Sequence, residues 1–415
     1  MSTALDQGRQ VAVSSPAVEV RPSTGYRYTI HRQIRDVDPD VWNSLRRANR
    51  DPFMDPCFLE AVEVGMAAVS KFWHVVFYDE ANRPAAIARL CSYRVDAALL
   101  AEGILKQIAL AVGRVLPRLL EFRVMFCGLC FSAGQSHLRF APGVDTAVIL
   151  RQLDELLLSL GRQEKAKCIV FKEFKPQECQ DLDALLPLGY QRADSLPMNH
   201  VEPIFRDFND YCAKQKSSRR YAIRKAQKKF AASGLKVVQM LGGEGADRIF
   251  TDDVYRLFEN VFDRAKVRLE KVTADVFREL ARKLPENTAY TFIYDQDRVV
   301  AFAVSLFTPA VYHQMFVGYD AALNPEYDVY FNLFFHAIDR AYRQNVGVIH
   351  VGQSADEFKH QKLGCHQRPL YFYIKGIDWT TRHVLERFGR SMFPPRFVPS
   401  AIPPAAEPAD VTPAE

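Results

Sequence analysis

Apolar and polar positions recur in the same order in two distant parts of the chain. Val76-Phe77-Tyr78 leads through the acidic turn Asp79 to Pro84 into Ala85-Ala86-Ile87-Ala88-Arg89-Leu90. Phe292-Ile293-Tyr294 leads through Asp295 to Arg298 into Val299-Val300-Ala301-Phe302-Ala303-Val304. Each block is an apolar strand, a charged turn and a second apolar strand, the pattern of a hairpin. Later segments correspond too. Lys167 to Phe171 matches Gly347 to Val351, and Leu188-Gly189-Tyr190 matches Leu363-Gly364-Cys365. Helical periodicity precedes each later strand, over 147–161 and 330–344. A fold-sized unit present twice predicts a site in the groove between the copies.

The first unit spans 27–205: a helix from Pro56 to Gly65, the hairpin, a long helix, a strand at Arg123 to Cys127, another helix, and a strand at Cys168 to Phe174. Residues 206–376 hold a basic helical bridge up to about 236 and the second unit, opened by helices at Asp252 to Ala265 and Thr273 to Leu284. Alternating strands and helices with mixed hairpins indicate an α/β fold, two mixed sheets flanked by helices, and exclude a bundle or a sandwich. Residues 1–26 read as a disordered lead. The Pro- and Ala-rich extension at 377–415 reads as disordered from about Pro394.

The repeat breaks at one place. Residues 94–122 have no counterpart in the second unit. At 100° per residue, Ile104, Leu105, Ile108, Ala109, Val112, Val115, Leu116 and Leu119 fall on one half of a helix, and Glu102, Lys106, Arg114, Arg118 and Glu121 on the other. Three readings fit this amphipathic insertion: a helix packed on the sheet, an apolar wall for a long acyl chain, or a helix lying in a membrane surface.

Composition narrows the class. Of 415 residues, 48% are hydrophobic, ample for real cores. The net charge of +5 is too small to name a partner, so local clusters matter more. Eight scattered cysteines suit reduced, buried thiols in a cytoplasmic protein. Cys127 and Cys130 have no second pair and no histidine at ligand spacing, so no metal is expected. No uncharged run is long enough to span a bilayer. The expectation is a cytoplasmic protein, one that could sit peripherally on the inner face of the membrane.

Gly352-Gln353-Ser354-Ala355-Asp356-Glu357-Phe358-Lys359-His360-Gln361-Lys362-Leu363-Gly364 resembles the "F-K-x-x-x-G" signature of FemAB-like and CelD-type acyltransferases of the GNAT superfamily. Arg220-Tyr221-Ala222-Ile223-Arg224-Lys225-Ala226 resembles that family's "R-x-x-I-R-x-A" helix, which joins two tandem GNAT-like domains. The resemblance implies transfer of an acyl or aminoacyl group from a thioester or tRNA ester to an amine. That chemistry needs a deprotonated amine, donors where charge develops on the carbonyl oxygen, and alignment of both substrates.

By resemblance, Lys359 is the lysine near the reacting centre, with Gln353 and Phe358 beside the substrate. His313 and Tyr319, on or after the strand that pairs with the pantetheine arm in GNAT-like folds, are base candidates with Asp320 and Asp356. The usual glycine-rich pyrophosphate loop is missing after Val317. The first unit offers Gly128, Ser132 and Gly134 as an alternative phosphate nest. The donor expected is acyl-CoA or an acyl carrier protein thioester, with no permanently bound cofactor.

Lys214, Lys216, Arg219, Arg220, Arg224, Lys225, Lys228 and Lys229 occupy sixteen residues without an acid. With Ile223, Ala226 and Phe230 as the buried stripe, the cations suit a polyanion: a phosphorylated substrate, anionic lipid head groups, or, less favoured, tRNA; DNA is not expected. The leading expectation is an N-acyltransferase placing a long-chain acyl group on a lipid amine such as a sphingoid base. An aminoacyl-tRNA-dependent transferase acting on a cell-wall precursor and a non-catalytic lipid- or polysaccharide-binding relative remain alternatives.

Overall fold

Both hairpins form, and each seeds its own sheet. The computed structural model describes residues 17–22, 25–47, 49–96, 121–265 and 271–396. The 94–122 insertion lies almost wholly outside these residues, as does the tail beyond 396. What is described shows its two ends extending the ladder: Asp96 pairs with Glu121 and Val95 with Phe122.

In chain order the strands are β1 (Val18–Val20), β2 (Arg27–His31), β3 (Ser70–Tyr78), β4 (Pro84–Asp96), β5 (Glu121–Cys127), β6 (Leu138–Phe140), β7 (Ala166–Phe174) and β8 (Gln191–Asp194). They continue as β9 (Met198–Val201), β10 (Lys236–Leu241), β11 (Thr288–Asp295), β12 (Arg298–Phe307), β13 (Val311–Tyr319), β14 (Val348–His350), β15 (His366–Arg368) and β16 (Tyr371–Gly376). The first sheet runs β1-β2-β3-β4-β5-β7-β16-β8, with β6 paired to β4. The second runs β10-β11-β12-β13-β14-β9-β15.

Apart from β1 and β6, which the second sheet lacks among the described residues, the two orders correspond strand for strand, and one strand is traded each way. β9, on the N-terminal side of the expected boundary near 205, lies between β14 and β15. β16, at the end of the second unit, lies between β7 and β8. Hydrophobic periodicity marks a strand but not its partner, so this exchange was invisible in the sequence. The lead also needs correction: Val18 and Val20 pair antiparallel with Ile30 and Tyr28.

The helices are α1 (Pro39–Leu45), α2 (Pro56–Met66), α3 (Thr146–Gln163), α4 (Phe208–Lys214), α5 (Ser217–Ala231), α6 (Asp252–Arg264), α7 (Ala274–Lys283), α8 (Val329–Arg343) and α9 (Trp379–Met392). Several starts are chemically marked. Asp55 caps α2 by accepting from Cys57 N with Pro56 at the first position, and Asp145 caps α3 through Val148 N. Helix α2 of the first unit packs against α7 of the second so closely that a Cβ on Gly65 would lie 2.6 Å from Val276 N. Phe58, Leu59, Val62 and Met66 thereby join Phe250, Val276, Phe277 and Leu280 in one core shared by both units. Burying each such side chain stabilises by about 1.5–3 kcal/mol, so the units are held as one body. That fixes the groove between them.

Candidate active site

The two sheets differ where it matters. In the first, β5 stays paired with β7 along Arg123 to Cys127. In the second, β13 pairs with β14 only from Val311 to His313. Beyond His313 the strands part, and β13 runs on to Tyr319 held by β12 alone. A wedge opens there, with one strand edge free of sheet partners among the described residues. A cavity of about 220 Å³ fills it, walled by Phe53, Phe131, Phe258, Phe262, Phe316 and Phe334 among others, with Ser132, His313, Gln314, Gln353 and Lys359 among its polar residues. Phe53, Phe131 and Ser132 come from the first unit, and Phe258, Phe316, Phe334 and Lys359 from the second, so the cavity lies between the copies.

Lys359 is the charged residue of this lining. It is only 2% exposed, its backbone N donates to the Ala355 carbonyl, and its Nζ stands 5.7 Å from the Phe334 ring centroid with no hydrogen bond to any described residue. Burial pushes its ammonium down to about 8, with Cys365 and Asp356 pulling the other way. A short turn at Asp356–Phe358 runs into a π-helical turn at Lys359–Leu363, a form common at functional sites. Gly364, at φ 70°, ends it. Arg219 of α5 fastens this turn by donating to the His360 and Gln361 carbonyls at 2.9 and 3.0 Å.

His313 projects from the last paired position of β13. Its ring meets Phe53 edge-on at 4.7 Å and stacks on His350 at 4.5 Å. Burial holds it neutral, down to about 3, with the Lys175 charge adding to the effect. Gln314 follows, 4% exposed, with neither amide atom hydrogen-bonded. An unpaired buried amide is costly unless something else meets it, which makes Gln314 a contact for a substrate carbonyl or amide. No signal in the sequence separated Gln314 from its neighbours, since the wedge is a property of strand pairing.

Of the other sequence candidates, Gln353 lines the cavity and donates to the Leu196 carbonyl at 3.0 Å. Asp356 does not reach it; its Oδ1 accepts from Asn199 Nδ2 at 2.7 Å, tying the lysine turn to β9. Tyr319 packs on Tyr330 at 5.3 Å outside the cavity, its phenol pushed up by burial. Asp320 caps Ala322 N. Phe358 is core, against Tyr330, Phe331 and Phe334.

The basic bridge divides. Ile223 and Ala226 are buried, with Phe230 partly so, as periodicity required. Arg219 and Arg220 are structural rather than substrate-facing, Arg220 donating to the Ala213 and Gln215 carbonyls. Arg224 and Lys225 remain exposed.

The first-unit phosphate nest needs correction. No helix opens after Cys127; residues 128–137 cross to the second unit, and α3 begins only at Thr146. Gly128 lies against Lys172, a Cβ on Gly134 would lie 1.9 Å from Met198 Cε, and Ser132 accepts from Lys172. These small residues serve close packing, and only Ser132 borders the cavity. In the second unit the start of α8 is also taken: Asp328 precedes it, and Asn324 accepts from Tyr330 N. A carboxylate at a helix N-terminus opposes a second anion there. Among the described residues no cluster is placed to hold a metal ion, and no helix is long and apolar enough to cross a membrane. Cys127 and Cys130 are both buried.

Residues 217–360 match the family described as the acetyltransferase (GNAT) domain. No curated protein matches the chain. Among solved structures, it is similar to a C-terminal domain (DUF2156) assigned to a lysylphosphatidylglycerol synthetase of Agrobacterium fabrum, at 10% identity and TM-score 0.48, covering 85% of this chain and 95% of that one. It is also similar to FemX, at 9% identity and TM-score 0.46, covering 75% and 90%. A tandem GNAT protein from the clavulanic acid biosynthesis pathway shows 13% identity and TM-score 0.43, covering 77% and 88%. The match to the acetyltransferase (GNAT) domain runs from the start of α5 to the lysine turn, within the second unit.

Proposed function

We propose that the protein transfers a long-chain acyl group from a thioester, acyl-CoA or an acyl carrier protein, to the amine of a lipid such as a sphingoid base. The observation that carries this reading is a single buried ammonium, Lys359, facing an aromatic and aliphatic cavity beside a free strand edge. The free β13 edge offers backbone groups to the amides of an extended donor arm, an added strand in effect. With room for about seven water-sized volumes, the cavity suits the reacting groups and the first few methylenes, the chain continuing along its walls.

Lys359 is protonated at neutral pH, and its ammonium stabilises the carbonyl oxygen as it gains charge, then gives a proton to the departing sulfur. Apolar walls strengthen that interaction by excluding water. For the donor's phosphates, the start of α8 is blocked, but Lys229 reaches the Asp328 carboxylate and the Pro325 carbonyl beside it at 3.2 Å each. Lys225 lies one turn earlier on the same face of α5, exposed, and supplies the cation there.

The test is amide formation by purified, nuclease-treated protein from palmitoyl-CoA and sphinganine, with acetyl-CoA as the short-chain control. The expected result is thiol release and a long-chain amide. Activity that needs charged tRNA instead would replace this reading with the aminoacyl-transferase one.

A further inference from the structure

A row of histidines crosses the second sheet from the cavity to the surface. His313 on β13 is in register with His350 on β14, His350 with His200 on β9, and His200 with His366 on β15. Residues paired directly across strands share a face, and successive ring centroids stand 4.5, 6.3 and 5.9 Å apart. His313 lines the cavity, His200 is 1% exposed, and His366 is exposed. Both ring nitrogens of His200 and Nδ1 of His350 are buried without a hydrogen bond of sound geometry. Buried imidazole nitrogens left unpaired are costly, and two such rings in the middle of a line from cavity to solvent call for a use.

We propose that these four residues form a proton exit, in which His313 takes the proton shed by the acceptor ammonium and His350, His200 and His366 pass it to solvent. The inference rests on the thioester-to-amine reading above. That reaction balances as follows. The acceptor arrives as an ammonium and must lose one proton before its lone pair attacks the carbonyl carbon. The N–C bond forms, the C–S bond breaks, and the second nitrogen proton ends on sulfur through Lys359. One proton per turnover is left over in an apolar cavity, and histidine is the side chain suited to moving it near neutral pH.

The charged groups near the row keep it neutral at rest. Burial is the main cause for His313, His350 and His200, reinforced by Lys175 and Arg368 and by the histidines on one another. Backbone groups of Met198 and His366 favour the charged form of His200, and Glu202 stands 3.8 Å from its Nε2. The row is completed only by the traded strand, because His200 belongs to β9.

The experiment uses palmitoyl-CoA and sphinganine with full-length wild type, His366→Ala and His200→Phe. Inactivity of the wild type would fail the acyl-transfer reading itself, and with it the ground for an exit. With the wild type active, His366→Ala is expected to lose about ten-fold in kcat in weak buffer and to recover in imidazole, with KM unchanged. His200→Phe is expected to lose more and not to recover, because imidazole cannot reach a buried position. Wild-type kcat for His366→Ala in weak buffer, or a loss that imidazole leaves untouched, would overturn the proposal. His366 is exposed, so that variant stays interpretable even if His200→Phe does not fold.

Discussion

The two units share a strand order and differ in what they leave unpaired. Five residues before the left-handed glycine, the second unit carries Lys359 and the first Ala184. In the first unit the nearby lysine, Lys375, is matched: Asp154 accepts from its Nζ at 2.8 and 2.9 Å and from Tyr190 Oη at 2.8 Å. In the second, Lys359 and Gln314 face a cavity without such partners. The first sheet also stays zipped at β5 and β7, whereas the second opens at β13 and β14. At this place one copy pairs its lysine with a carboxylate, and the other turns its lysine and Gln314 toward the cavity. Duplication lets the two roles separate, because the shared core around α2 and α7 supplies the stability that an open site forgoes.

Lys359→Met should break this contrast most sharply. Turnover is expected to fall by about a thousand-fold or more, as when a charge-stabilising donor is removed. The same change should raise thermal stability at pH 7. The ammonium is ordinarily at 10.5 and sits at about 8 when folded, so between those values the unfolded chain holds more protons and stability rises with pH. The penalty is therefore fully present below about pH 8 and amounts to about 3 kcal/mol as an upper bound. Melting curves at pH 7 and pH 10 check this: the gain of the variant over wild type should shrink at the higher pH. The same protonation sets the rate, and wild-type kcat should decline as pH rises through about 8.

Phe262→Asp places a charge in the apolar wall. Long-chain transfer should fall by about ten- to a hundred-fold while acetyl transfer changes little, since a carboxylate is poorly tolerated beside methylenes. Equal loss of both in a folded protein would remove the acyl wall. Lys225→Glu should raise KM for the CoA donor several-fold with kcat unchanged, and the difference should fade in high salt. Tyr190→Phe, in the first unit, should lower stability by about 1 kcal/mol through the lost bond to Asp154 and leave turnover alone. An effect of Tyr190→Phe on kcat would erase the division of labour between the copies.

The duplicated α/β organisation was legible because hairpins and their turns are local. Asp79 and Arg83 close the first turn on each other, and Asp295 pairs with Arg298 in the second. Ile223 and Ala226 were found as the buried stripe of α5 for the same reason, helical period. Lys359 and Gln353, singled out by the resemblance of their segment to a family, and His313, singled out by its strand, line the cavity, and their roles there are the proposal made above. What Arg219, Arg220 and Phe358 touch was not legible, because the sequence shows a guanidinium or a ring but not its neighbours: two carbonyls of the lysine turn, the end of α4, and an aromatic cluster.

Sequence by itself determined what is set within a few residues of its own position: strand and helix identity, turns, caps, and the repeat that promised a groove. Tertiary structure alone decided the traded strands β9 and β16, the parting of β13 from β14, the burial that brings Lys359 to about 8, and the line of histidines. Those depend on which distant segments meet, and pairing between strands is fixed by the whole packed core rather than by any local run of residues.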